Sequence, residues 1–162
     1  MKSIKIAAAL FSTLAVGTSA FAAYGPTGTL TISGVVAVVN ELEVTATANA
    51  TALNITGGET DKLVATVSEH SNNLNGYKIK MKSANGGQLV NTANSSVKTA
   101  YKLGYNGATK VTLSTGDTDM KTVNALTGLT TVSSNVNVDV TALATAAAGT
   151  YSDTITVSIV AN

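Results

Sequence analysis

The sequence predicts an all-β fold, an antiparallel sandwich of about seven short strands. Three observations carry that prediction. Thr, Val and Ile dominate, with 24 Thr in residues 23–162, and β-branched side chains suit pleated strands better than helices. Turn signals recur at short spacing: Gly57-Gly58, Asn75-Gly76, Asn85-Gly86-Gly87, Asn106-Gly107 and Gly116-Asp117. Between them, apolar positions recur with a period of two, the pattern of half-buried strands.

The first element is an address rather than a strand. Met1-Lys2-Ser3-Ile4-Lys5 is a basic head, Ile6 to Val16 an apolar run, and Ala20-Phe21-Ala22 a small-residue exit. Together they read as a secretory signal peptide over residues 1–22. The run is shorter than the about 20 residues a membrane span needs. Both Phe leave with this segment, so the aromatics that remain are Tyr24, Tyr77, Tyr101, Tyr105 and Tyr151.

The remaining chain, residues 23–162, has a length that suits one domain. Eight Lys against nine acids give it a formal charge of −1, and there is no Arg. A nearly neutral chain has no electrostatic pull toward nucleic acid or anionic membrane. The absence of Cys excludes disulfides, thiol catalysis and Cys-based metal sites. One His, His70, leaves little for acid–base chemistry.

Residues 28–39 are uncharged and alternate. Leu30, Ile32, Gly34, Val36 and Val38 share one face, and Thr29, Thr31 and Ser33 begin the other. Extended, the nine residues from Leu30 to Val38 span about 26 Å. Such a face must insert somewhere: as the first strand of a complete sandwich, or as a strand given to another molecule. Charges begin at Asn40-Glu41, which places a boundary between an extension, 23–40, and a domain, 41–162.

Within the domain, Leu42, Val44, Ala46 and Ala48 alternate with Glu43, Thr45 and Thr47. Leu63, Ala65 and Val67 form a two-sided pattern with Val64, suited to an interior strand. Tyr77, Ile79 and Met81 alternate with Lys78, Lys80 and Lys82, a comb that reads as a solvated face guarding a strand. Val97, Tyr101, Leu103 and Tyr105 share a parity, as do Val111 and Leu113. Val136, Val138 and Val140 form a further strand, and Tyr151, Ile155, Val157 and Ile159 the last. Ala142 to Ala148 suits a short helical turn.

Three stretches carry a resemblance to a known family. Gly28, Leu30, Ile32, Gly34 and Val36 match the donor-strand pattern of chaperone–usher fimbrial subunits: Gly, alternating apolar residues, an interior Gly, then Val. Ala148-Gly149-Thr150-Tyr151-Ser152-Asp153-Thr154-Ile155-Thr156-Val157 looks like the closing strand of such subunits, especially of the spore coat U-like, archaic branch. Tyr101-Lys102-Leu103-Gly104-Tyr105-Asn106-Gly107 is similar to a mid-domain stretch of that branch. Family members commonly carry a Cys just after the donor segment, where this chain reads Asn40-Glu41-Leu42-Glu43.

The resemblance implies an immunoglobulin-like sandwich that lacks its last strand. It implies a surface fimbria assembled by donor-strand exchange, serving adhesion or biofilm formation. Leu30, Ile32, Val36 and Val38 would fill pockets of the next copy, with Gly34 where the groove is shallow. Tyr151, Ile155, Val157 and Ile159 would wall the acceptor groove. The implied partners are other copies, a periplasmic chaperone and an outer-membrane usher, on a route through the periplasm to the cell surface. No cofactor, metal, nucleic acid or small-molecule substrate is implied.

The alternative is a self-contained secreted β-sandwich that binds a surface glycan or protein. An enzyme is not expected. Ser95-Ser96-Val97-Lys98 matches S-x-x-K without its companion elements, and no nucleophile elbow or phosphate loop occurs. Asp117-Thr118-Asp119 is followed at the next alternating position by Lys121, which breaks a calcium-loop pattern and leaves a polar turn. His70, next to Glu69, reads as a strand-end or loop residue.

Overall fold

The structure is a computed structural model that describes residues 25–162; the expected signal peptide, 1–22, lies outside the described residues. Residues 25–35 contain no strand or helix, and Leu30, Ile32 and Val35 there are exposed. The compact unit runs from Val36 to Asn162.

That unit is an antiparallel sandwich. Its nine strands are β1 (Asn40–Ala46), β2 (Glu59–Ser71), β3 (Tyr77–Ser83), β4 (Gln88–Asn91), β5 (Lys98–Tyr105), β6 (Thr118–Val123), β7 (Thr130–Val140), β8 (Tyr151–Ser152) and β9 (Ile155–Ala161). One sheet has the order β1-β2-β7-β5-β4-β8, the other β6-β3-β9. The alternation predicted from sequence sets the facing: Val67, Ile79, Met81, Leu103, Val136 and Val138 are buried in a shared core with Tyr77, Tyr101 and Tyr105.

Several elements differ from the prediction. Two further strands, β4 and β6, flank the anticipated ones. Both are short or charged and carry little period-two signal. Asp119 lies in β6 rather than in a turn. Val111 makes one isolated bridge to Leu103 instead of starting a strand. Ala48, placed by parity in the first strand, opens a short 3-10 helix, Ala48–Thr51. Of residues 142–148, Ala144-Thr145 form a single turn, closed by Ala146 N–H donating to Leu143 C=O at 2.9 Å, and the rest is irregular. The predicted last strand is broken at Asp153-Thr154, where the chain leaves the six-stranded sheet at β8 and joins the three-stranded one at β9.

The core holds one charged cluster. Glu69 on β2 is 1% exposed. Its carboxylate accepts from the hydroxyls of Tyr77 at 2.7 Å, Tyr105 at 2.5 Å and Ser134 at 2.6 Å. Lys121 Nζ lies 3.0 and 2.8 Å from its two oxygens. Burial pushes the Glu69 pKa up, and the donors from Lys121, Ser134, Tyr105 and Tyr77 together outweigh it and hold it below its ordinary value. Burial, reinforced by the carboxylate, raises the Tyr105 and Tyr77 phenols far above theirs, so both remain donors. The cluster ties β2, β3, β5, β6 and β7 at one point.

Candidate functional site: an unguarded edge and its seam

A sheet edge presents unpaired N–H and C=O groups, and proteins guard such edges with shortness, charge or irregularity. Two open sheets leave four edges: β1, β8, β6 and β9. β8 is two residues long. β6 carries Asp119, which takes Lys78 at 3.3 Å and Lys80 at 2.7 Å, and turns Lys121 inward onto Glu69. β1 carries Glu41 and Glu43. β9 has none of these devices. Its seven residues, Ile-Thr-Val-Ser-Ile-Val-Ala, are uncharged and pair with β3 in unbroken register from Ile155 to Ala161.

The face of β9 toward the core is apolar and incompletely covered. Val157 lies opposite Met81 and Ile159 opposite Ile79. Met81 and Ile79 are fully buried, whereas Ile155, Val157 and Ile159 are only partly buried. The same holds for β1. Leu42, Val44 and Ala46 lie opposite Glu69, Val67 and Ala65 of β2 and so share their inward side. Val67 is 0% exposed, yet Val44 is 46% exposed. Cα atoms of β1 and β9 approach within 8 Å, but no strand ladder joins them. The two strands therefore border an apolar seam along one side of the sandwich.

Ile155, the first residue of β9, also lines a cleft of about 170 Å³ whose walls are mainly apolar side chains, Leu53, Val64, Leu103 and Val138 among them. Asp153 stands at this end and fixes the start of β9. Its Oδ2 accepts from Ser83 Oγ and from the Tyr101 hydroxyl, each at 2.5 Å, and its Oδ1 from the N–H of Asn85 and Thr154. Burial raises the Tyr101 phenol well above its ordinary pKa, with the Asp153 carboxylate adding to it, so Tyr101 stays a donor. Upstream, Gly149 has φ +140° and a Cβ there would lie 2.7 Å from Asn91 Nδ2. Asn91 is buried and bonds Ala148 C=O and the N–H groups of Ala93 and Asn94. Gly149 and Asp153 of the closing motif are thus both explained by local contacts.

Asp153→Ala is expected to strand the Tyr101 and Ser83 hydroxyls and to cost about 3 kcal/mol, given the worth of hydrogen bonds to a charged acceptor. A denaturant midpoint measured on both proteins checks it.

The structure brings Ile155, Val157 and Ile159 together on β9. Tyr151 stands apart from them, on β8 in the other sheet, with its hydroxyl donating to Ala147 C=O. Val36 and Val38 begin the compact unit and are exposed; Leu30, Ile32 and Gly34 precede it. Sequence reasoning missed the β1 wall, Leu42, Val44 and Ala46. Their alternation was legible, but nothing in it said that β1 lies at the edge of its sheet.

Other candidate groups are engaged locally. His70 Nδ1 lies 2.7 Å from Thr131 Oγ1. Lys110 bridges Asp61 and Asp139 at 2.8 and 3.1 Å. Among the described residues no group of three or more His, Asp or Glu side chains converges as metal ligands would. No protein-family model matches the chain, and no curated protein matches it.

Proposed function

We propose that this chain is an exported structural subunit of a surface fimbria, polymerised when the 28–39 segment of one copy adds to β9 of the next. The observation that carries the reading is the unguarded β9 edge beside an apolar seam. The second half is the segment itself, uncharged, alternating, and long enough at about 26 Å to follow a seven-residue strand. Strand addition supplies main-chain hydrogen bonds for affinity and alternate side-chain pockets for register.

The energetics are adequate. Burying Leu30, Ile32, Val36 and Val38 is worth about 6–12 kcal/mol in all. That is comparable to the about 4–15 kcal/mol that association costs, so the new strand ladder supplies the surplus. A strand between two neighbours sets them about 9.6 Å apart, so insertion widens the seam where β1 and β9 now approach within 8 Å. Gly34 has open space around its Cβ position and takes the place where the groove is shallow. Contacts that run head to tail without closing make a filament. Transport through the periplasm with a chaperone and usher belongs to this reading, because an open seam needs cover before assembly.

The test uses residues 39–162 with a synthetic 28–39 peptide. Native mass spectrometry is expected to find a 1:1 complex, and the melting temperature is expected to rise by several degrees through linkage. A stable monomer that ignores the peptide sinks the reading and favours a self-contained binding module.

A further inference from the structure

The root of the extension is held in a specific way. Asn72, just after β2, accepts from Val39 N–H through Oδ1 at 2.7 Å and donates to Ala37 C=O through Nδ2 at 2.8 Å. Its own N–H donates to Val39 C=O at 3.2 Å. One side chain therefore grips the backbone on both sides of Val38, and the backbone groups of Val38 take no part in the grip.

The loop that carries Asn72 is itself fixed. Ser71 Oγ donates to Asn40 Oδ1 and accepts from Asn73 N–H. Asn73 accepts from Asn75 N–H through its side chain and from Gly76 N–H through its C=O. Leu74 at the tip bonds Leu126 N–H through its C=O, yet its side chain is 70% exposed. Leu129, on the β6–β7 connection, is 61% exposed. Leu74, Leu129, Val36 and Val38 line one largely apolar cleft of about 540 Å³. Large apolar side chains fixed around a cleft mark an interaction site more often than chance exposure does.

We infer that this cleft is a second contact between consecutive copies of the chain, and that Asn72 aims the extension so that both contacts form together. The inference rests on the proposed strand addition. The occupant is the copy that receives the extension, for a geometric reason. Val36 and Val38 are the last residues to enter its groove and the first to line this cleft. A groove that accepts them is brought against Leu74 and Leu129. The contact covers apolar surface that strand addition alone leaves wet, and it restricts the angle between neighbours.

The test separates the two readings with chain 23–162. Sedimentation measures self-association of the unaltered chain, of Leu74→Asp/Leu129→Asp and of Asn72→Ala. Capture of free 28–39 peptide, which has no cleft to contribute, is measured on the same three proteins. Both variants are expected to associate about tenfold more weakly while capturing peptide as the unaltered chain does. Peptide capture with association unchanged in either variant overturns this inference and leaves strand addition standing. No association and no peptide capture by the unaltered chain overturns both.

Discussion

Glu69→Gln is expected to lower the unfolding free energy by about 3–5 kcal/mol, the range for breaking a buried ion pair by removing one charge. Domains of this size hold only about 5–15 kcal/mol in all, so the change removes a large share. The reason lies in the cluster. Glu69 is the common acceptor for Tyr77, Tyr105, Ser134 and Lys121. The amide has one acceptor oxygen where the carboxylate has two, and it leaves the Lys121 ammonium in the sandwich without its counter-charge. The paired change Glu69→Gln/Lys121→Met is expected to recover part of the loss, because no ammonium then remains to be desolvated. Denaturant midpoints of the three proteins decide it; equal midpoints for the unaltered chain and Glu69→Gln would show the cluster to be inert.

The same cluster gives a pH dependence of known sign. The folded-state pKa of Glu69 lies below its ordinary value. Its contribution is then fully present above the unfolded pKa, about 4.3 for a glutamate. It is lost as pH falls through the folded value, because the unfolded chain takes up the proton first. Between the two, stability of the unaltered chain should fall more steeply with acid than that of Glu69→Gln.

Gly76→Ala is expected to cost about 3 kcal/mol or more, combining backbone strain and overpacking. Gly76 has φ +79°, and a Cβ there would sit 1.9 Å from Val123 C=O oxygen and 2.8 Å from Asn124 C. Those atoms are backbone and cannot rotate away. The position joins two strand ends: Gly76 C=O accepts from Asn162 N–H, and Asn162 Nδ2 bonds Asn75 and Val123 carbonyls. Gly107 is the control. Its φ is +77°, but nothing lies within 4 Å of its Cβ position. Gly107→Ala should cost only the conformational part, about 1–2 kcal/mol. Thermal melts of the pair isolate the contact; equal losses would mean that the Val123 backbone moves aside freely.

The division between sequence and structure follows from what period-two patterning encodes. Alternation states which side of a strand is apolar. It therefore put Val67, Ile79, Met81, Leu103, Val136 and Val138 on the apolar sides of their strands, while residue type alone marked Asn75-Gly76 and Asn106-Gly107 as turns. It also marked Leu30 to Val38 as a face in need of cover and Ile155 to Ile159 as a strand. Patterning says nothing about who pairs with whom. Only tertiary structure decided that β9 is an uncharged edge, that β1 faces it across an open seam, and that Tyr151 belongs to the other sheet. The edge is a property of missing neighbours, and a missing neighbour leaves no mark on the strand that lacks it. Glu69 shows the converse: nothing in its residue type marks it for the core, and four donors brought in by four other strands make its burial stable.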